Sequence, residues 1–428
     1  MDNIYKVRKL KADQEITVSV PGSKSITNRA LLLAALSNGT CRLTGVLFSD
    51  DSRAFLSCLA ELGFQVEIDE EKKEVLLVGT AGKIPNKNAI INVRSAGTAA
   101  RFLTVMLAVA GGDYTLESSE QMKRRPMEPL ITALREAGIL VTCLEEENHF
   151  PFKIHSEGFH QGEISINTDV SSQFASALLM AGILKKEGLT VRLEGGRTQG
   201  SYLMVTLKVM EQFGIMVERV GDVCKVPGNM RYHLDRYEIE PDLSAAAYFY
   251  AMAPLCGKTV TVQGVHQNSM QGDLKFIKVL ERLGCQLTDT PNGLVVTKSG
   301  AENYEGFEID MKDFSDQTMT MAALAVFATT PTKIINVGHI RLQESDRIHA
   351  IVTELNRMGV NATEYESEIW IKPGQPKPVQ IETYEDHRMA MAFALIGLRA
   401  EGIEIKNPKC CAKTFEEYFD VLDQISID

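Results

Sequence analysis

The chain has 428 residues, 44% of them hydrophobic and 24% charged, and a formal net charge of −11. Such a length fits roughly three domains of ordinary size, and the composition is globular rather than disordered. The acidic balance speaks against sequence-independent nucleic-acid binding, and the longest apolar stretches, Met319–Ala328 and Met389–Leu398, are too short to span a bilayer.

The opening, MDNIYKVRKLKADQ, mixes charges without an apolar run, so no signal peptide is expected. The eight cysteines are scattered and form no C-x-x-C pair, which suits a reducing cytoplasm. No H-E-x-x-H is present, and His155 and His160 sit in a glycine-containing stretch without metal-ligand spacing. The reading therefore expects no metal, no cofactor, no nucleic-acid partner and no membrane.

From residue 25 onward one pattern recurs: a polar start, an Ala/Leu/Met-rich helix, a break, then a β-branched strand. It reads SITNRALLLAALSNGTCRLTGV, GTAARFLTVMLAVAGGDYTL and SSQFASALLMAGILKKEGLTVRL, then DLSAAAYFYAMAPLCGKTVTV, SDQTMTMAALAVFATTPTKIINV and EDHRMAMAFALIGLRAEGIEI. Its markers Ser25, Thr98, Ser172, Ser244, Gln317 and His387 are 73, 74, 72, 73 and 70 residues apart. A second helix follows each strand and stops at Gly63, Gly138, Gly214, Gly284 or Gly359, as only glycine takes the left-handed conformation cheaply.

This spacing predicts six α/β units, each strand–helix–strand–helix–strand–strand. The first helices are apolar nearly all round and should be buried, whereas the second carry a polar stripe. Proline restricts itself and its predecessor, so Val20–Pro21–Gly22 and Glu240–Pro241 are natural crossings between bodies. Three units then fall in a domain of residues 22–240, and three in a second domain of 1–21 plus 241–428.

Helix starts carry partial positive charge and free N–H groups, so several of them at one cleft would bind anions. The first half offers Lys24, Ser25, Arg29, Arg94, Arg101, Ser171, Ser172 and Gln173 at these starts, and the second half Asp242, Asp316, Asp386, His387 and Arg388. Ser and Asp have a plain structural account as N-caps. Lys or Arg in a first turn opposes the helix dipole and calls for an anion. Neither PGSKSITNR nor GKT at 257–259 has the spacing of a phosphate loop, and GGRTQG at 195–200 is no dinucleotide fingerprint. GKT reads as a turn entering a strand. ATP, NAD and covalent acyl chemistry lose ground.

The segments PGSKSITNRALLLAAL, SAGTAARFL, KRRPMEPL, VSSQFASALLM, SDQTMTMAALA, ESDRI, EDHRMAMAFAL and AKTFEEYF, in this order, resemble the 5-enolpyruvylshikimate-3-phosphate synthase family of enolpyruvyl transferases. The resemblance implies two domains, each of three βαβαββ units with buried helices and outer sheets, an inside-out α/β barrel with the active site in the cleft between domains. It also implies a monomer that moves the enolpyruvyl group of phosphoenolpyruvate to the 5-hydroxyl of shikimate 3-phosphate, breaking the C–O bond of the donor and releasing phosphate. Phosphoryl transfer would call for Mg²⁺ and a phosphate loop; this reaction needs a base, an acid and cations.

Residue by residue, the resemblance makes Asp316 the base, with Glu344 and Lys24 as further proton-handling groups. Lys24, Gly97, Arg125, Gln173, Arg347, Arg388 and Lys413 match positions that hold phosphoenolpyruvate. Lys24, Ser25, Arg29, Ser171, Ser172, Gln173, Asp316 and Gln343 match positions at shikimate 3-phosphate. The resemblance also implies that Gly97 borders the site that the inhibitor glyphosate occupies. Beside these, Asp316 reads as the N-cap of the helix that follows it, and Thr414-x-x-Glu417 after Lys413 reads as a capping box.

Several positions depart from the family pattern: Arg94–Ser95 for Gly-Asn, Phe102 for Pro, Gln343 for Lys, His339 for Asn and Gln199 for Ser. They bear on shikimate 3-phosphate binding more than on the reaction class. The rival reading is the sister transferase that acts on UDP-N-acetylglucosamine. Many of its members carry a reactive cysteine where this chain reads GGDYTLESSEQMKRRP.

Overall fold

Residues 4–10, 15–298 and 303–426 are described in a computed structural model of the protein, and their strands form six sheets. Five sheets have four strands in a common order. In one, Asn88–Asn92 pairs in parallel with Gly112–Glu117, which pairs antiparallel with Phe152–Ser156, itself antiparallel to Leu140–Cys143. The parallel pair requires a crossover, and the helix Gly97–Ala110 supplies it, whereas Leu140–Cys143 and Phe152–Ser156 are joined by a short connection.

The sixth unit departs from the expected pattern. Val379–Ile381 and Ile403–Lys406 pair in parallel around the helix His387–Gly397, but the chain then enters a 3₁₀ turn and the helix Tyr418–Ile425. The N-terminal strand Ile4–Lys6 pairs antiparallel with Ile403–Lys406 instead of a hairpin. The edge of this sheet is thus covered by a strand from the other end of the sequence.

Two further strands are borrowed over long distances. Arg236–Glu238 lies parallel to Asn38–Thr44, and Ile16–Val18 lies parallel to Thr259–Gln263. The chain divides into two compact units, Gly22–Ile239 and Met1–Pro21 with Glu240–Asp428. Glu240 belongs with the second because its carboxylate accepts from Ser269 Oγ at 2.6 Å and Gln271 Nε2 at 3.1 Å.

Burial follows apolarity. Every residue from Ile26 to Leu36 of the helix Lys24–Leu36 is buried, as is every residue from Gly97 to Val109. The second helices bury one face: Leu274–Arg282 buries Phe276, Ile277 and Leu280. Their terminal glycines 63, 138, 214, 284 and 359 have φ of 86°, 88°, 87°, 82° and 83°, the left-handed stop expected of them. Gly257 likewise ends a helix at φ 64° before the strand Thr259–Gln263. Among the described residues no helix is long and apolar enough to cross a membrane.

Candidate active site

In the unit Gly22–Ile239, three first helices bring their N-terminal turns together. Asn28 Nδ2 donates to Thr98 Oγ1 at 2.5 Å, joining Lys24–Leu36 to Gly97–Ala110. Arg29 reaches Ser176 Oγ at 3.4 Å, and Arg101 lies over the Phe174 ring, joining both to the helix Ser172–Gly182. A residue with a Cβ at position 97 would place it 2.5 Å from Arg101 Nη1 and 2.7 Å from Arg125 Nη1. Glycine therefore lets two guanidinium groups sit against a helix N-terminus.

Lys24 opens its helix, and Ser23 before it makes no side-chain cap bond. The anion that a first-turn cation calls for is partly supplied by the protein: Asp51 Oδ2 lies 2.5 Å from Lys24 Nζ. Asp51, buried in the first turn of the helix Asp50–Glu61, carries no motif signal and is legible only in three dimensions. Ser171 caps its helix by accepting from Gln173 N at 3.2 Å, Ser172 is buried beside it, and Ser25 Oγ lies 3.2 Å from Ser23 Oγ. Gln173 Oε1 is buried with no hydrogen-bond partner among the described residues, so a polar acceptor is held ready at this helix start.

Arg29 is differently placed. Its Nε donates to Thr206 Oγ1 at 2.7 Å, Nη1 to Ser25 O at 2.8 Å, and Nη2 to Tyr202 O at 3.2 Å as well as to Ser176. Four of its five N–H groups are thus committed to the protein. Burial pushes its pKa down to about 10. Phe102, one of the departures, packs its ring beneath this guanidinium.

The other unit gathers charge of both signs. Arg347, 1% exposed, donates from Nε to Asp386 Oδ2 at 2.7 Å, from Nη1 to Asp316 Oδ1 at 3.1 Å and to Gln343 Oε1, and from Nη2 to Glu344 Oε2 at 2.9 Å. Burial by itself would lower its pKa, but the charges of Asp386, Glu344 and Asp316 outweigh it and hold the group above its usual range. Arg388 Nη2 donates to Asp316 Oδ2 at 2.9 Å, and Lys413 Nζ lies 3.6 Å from Glu344 Oε1. Three cations and three carboxylates therefore interleave, drawn from four helix starts or turns and the segment before Thr414.

Two structural readings of these residues fail. Asp316 lies inside the 3₁₀ turn Ser315–Gln317, and the N-cap of the helix Thr318–Ala325 is Gln317, without a side-chain cap bond. Its carboxylate faces guanidinium groups instead. The Thr414–Glu417 capping box does not form either: the last helix begins at Tyr418, and Thr414 Oγ1 is buried with no hydrogen-bond partner among the described residues. Among the other departures, His339 Nε2 pairs with Ser315 Oγ at 2.7 Å, and Gln199 is exposed with Nε2 3.4 Å from Asp222 Oδ1.

Comparison with known proteins covers nearly the whole chain. A sequence profile described as EPSP synthase (3-phosphoshikimate 1-carboxyvinyltransferase) covers residues 9–422. The chain is 41% identical over 420 residues to the 3-phosphoshikimate 1-carboxyvinyltransferase of Nostoc punctiforme, covering 98% of each. It is 39% identical to that of Photobacterium damsela subsp. piscicida, covering 96% of each. A solved EPSP synthase from Acinetobacter baumannii has a TM-score of 0.80 at 24% identity, covering 99% of this chain and 98% of the other, a likeness of fold.

Proposed function

The chain belongs to the EPSP synthase (3-phosphoshikimate 1-carboxyvinyltransferase) family and is an enzyme of that activity; from this premise we propose which of its residues carry the reaction. The product keeps a vinyl group, so the methylene carbon of phosphoenolpyruvate gains a proton as the 5-hydroxyl oxygen adds to its neighbour. One proton of the resulting methyl group is lost as the C–O bond to phosphate breaks. The chemistry needs a group to take the hydroxyl proton, a group to give and retake the carbon proton, and cations for the phosphate and carboxylate.

The observation that carries the assignment is the Asp316 carboxylate, held by Arg347 and Arg388 rather than by a helix end. Arg347, Arg388 and Lys413 suit the anionic groups of phosphoenolpyruvate, since a guanidinium meets paired oxygens with paired N–H groups. An anion drawn to these guanidinium groups competes with Asp316 for their N–H donors and frees its oxygens for the hydroxyl proton. To Glu344, which lies beside Lys413 and Arg347, we assign the carbon proton. In the unit Gly22–Ile239, Lys24, Gly97, Arg125 and Gln173 serve the same donor, and Ser25, Ser171 and Ser172 serve shikimate 3-phosphate. Arg29 there acts chiefly by fixing the helix starts.

Further parts of the reading stand with it. Each unit is three α/β modules with helices inside and sheets outside. The enzyme works as a cytoplasmic monomer in the shikimate pathway, a location supported by eight free thiols. The test is Asp316→Asn. Phosphate release from the two substrates should fall about 10²–10⁴-fold in kcat, the usual worth of a general base, with smaller changes in KM. A folded variant with wild-type kcat would remove Asp316 from the chemistry.

A further inference from the structure

Behind Asp316 lies a carboxylate for which the reaction above has no use. Asp273 precedes the helix Leu274–Arg282, where an aspartate ordinarily accepts from N–H groups of the first turn, yet it makes no side-chain cap bond. It is buried, and both of its oxygens point elsewhere. Oδ1 accepts from Gln317 Nε2 at 3.0 Å, and Oδ2 accepts from Ser244 Oγ at 2.9 Å. The Gln317 amide is fully buried and held at its other end too, where Oε1 accepts from Thr320 Oγ1 at 2.9 Å. Its Nε2 also lies 3.4 Å from Ser244 O.

Gln317 is the residue next to Asp316 in the 3₁₀ turn Ser315–Gln317. Such a turn has poorer hydrogen-bond geometry than an α-helix and holds its side chains less firmly by itself. This one is fixed from both sides, by His339 at Ser315 and by Asp273 at Gln317. The charges facing Asp273 are those of Asp316, Arg388 and Asp242, each from a different element.

Resting on the assignment of Asp316 as the base, we propose that Asp273 is a positioning residue for it. Its carboxylate clamps the Gln317 amide against the start of the helix Leu243–Tyr250 and so aims Asp316. The aspartate gives up a helix cap for this clamp, and a charge-assisted acceptor makes the shorter and stronger bond. Asparagine can reproduce the arrangement, because its Oδ1 accepts from Gln317 and its Nδ2 donates to the Ser244 hydroxyl. Alanine cannot.

Steady-state kinetics and melting curves on Asp273→Ala, Asp273→Asn and Gln317→Met test the clamp; the methionine keeps volume and breaks it from the other side. The alanine and methionine variants should lose about 10- to 100-fold in kcat, the scale of a misplaced catalytic group, with both KM values within about twofold. Asp273→Asn should stay within about threefold of wild type. Wild-type kcat in a folded Asp273→Ala or Gln317→Met overturns the inference, and so does an Asp273→Asn as slow as the alanine variant. Asp316→Asn, run alongside, separates the two assignments. At wild-type rate it overturns the base assignment and the clamp with it; slow beside a fast Asp273→Ala, it overturns only the clamp.

Discussion

At Gly97 the atoms that alanine would meet are Arg101 Nη1 and Arg125 Nη1, the far ends of flexible side chains. The fold should therefore tolerate Gly97→Ala while the guanidinium groups shift. Weakening one charge-assisted hydrogen bond corresponds to roughly a tenfold rise in KM for phosphoenolpyruvate. The inhibition constant for glyphosate, placed at the same wall by family likeness, should rise further than KM. Normal melting with both constants unchanged would take Gly97 out of the site. Arg29 shows the same scale from the other side: a residue in a matched motif whose donors are nearly all taken by Thr206, Ser25, Ser176 and Tyr202.

Elements, rather than single residues, set where the first unit can begin. Gly22 enters the helix Lys24–Leu36 so close to Gly45 that an added Cβ would lie 1.9 Å from its carbonyl oxygen. A Cβ added at Gly45 would in turn lie 2.9 Å from Ile239 O, on the residue after the strand Arg236–Glu238. Backbone on backbone cannot yield as a side-chain end does. Gly22→Ala should cost about 3 kcal/mol or more, at the severe end of overpacking, and appear as a clear fall in melting temperature. Gly162→Ala is the control, because its Cβ would meet nothing within 4 Å, and it should stay within about 0.5 kcal/mol of wild type. Equal melting of the two variants would contradict this account of the crossing.

Over the whole molecule, Asp273 gives stability a pH dependence with a definite sign. Burial, then the charge of Asp316, push its pKa up to about 6, above the ordinary carboxylate value that the unfolded chain would show. A raised acid contributes stability that is present below the unfolded pKa and lost as pH rises through the folded one. The loss falls between about pH 4 and pH 6 and amounts to roughly 3 kcal/mol. Asp273→Asn should thus gain stability relative to wild type as pH rises from about 4 to 7; a constant difference across that range would refute the shift. Ligands act on the same scale. Substrates bound to the folded enzyme should stabilise it by about 2.7 kcal/mol at a hundredfold excess over Kd. A calorimetric transition unmoved by saturating substrates would contradict this.

Sequence by itself determined the repeat, because its causes are local. An apolar stretch with a polar start makes a buried helix wherever it recurs, and glycine stops a helix through its own backbone freedom. Motif order likewise made Lys24, Asp316, Arg347 and Arg388 legible as a set. Tertiary structure alone decided what depends on distant partners. The missing sixth hairpin is replaced by Ile4–Lys6, nearly 400 residues away in sequence, which no local pattern announces. Asp316 reads locally as a cap, yet its oxygens face Arg347 and Arg388, because a carboxylate goes to the strongest donors within reach. Asp51 and Asp273 lie in no motif, and only folding sets one against Lys24 and the other against Gln317. Period and polarity are written along the chain, whereas the choice of partner for a charge is made in three dimensions.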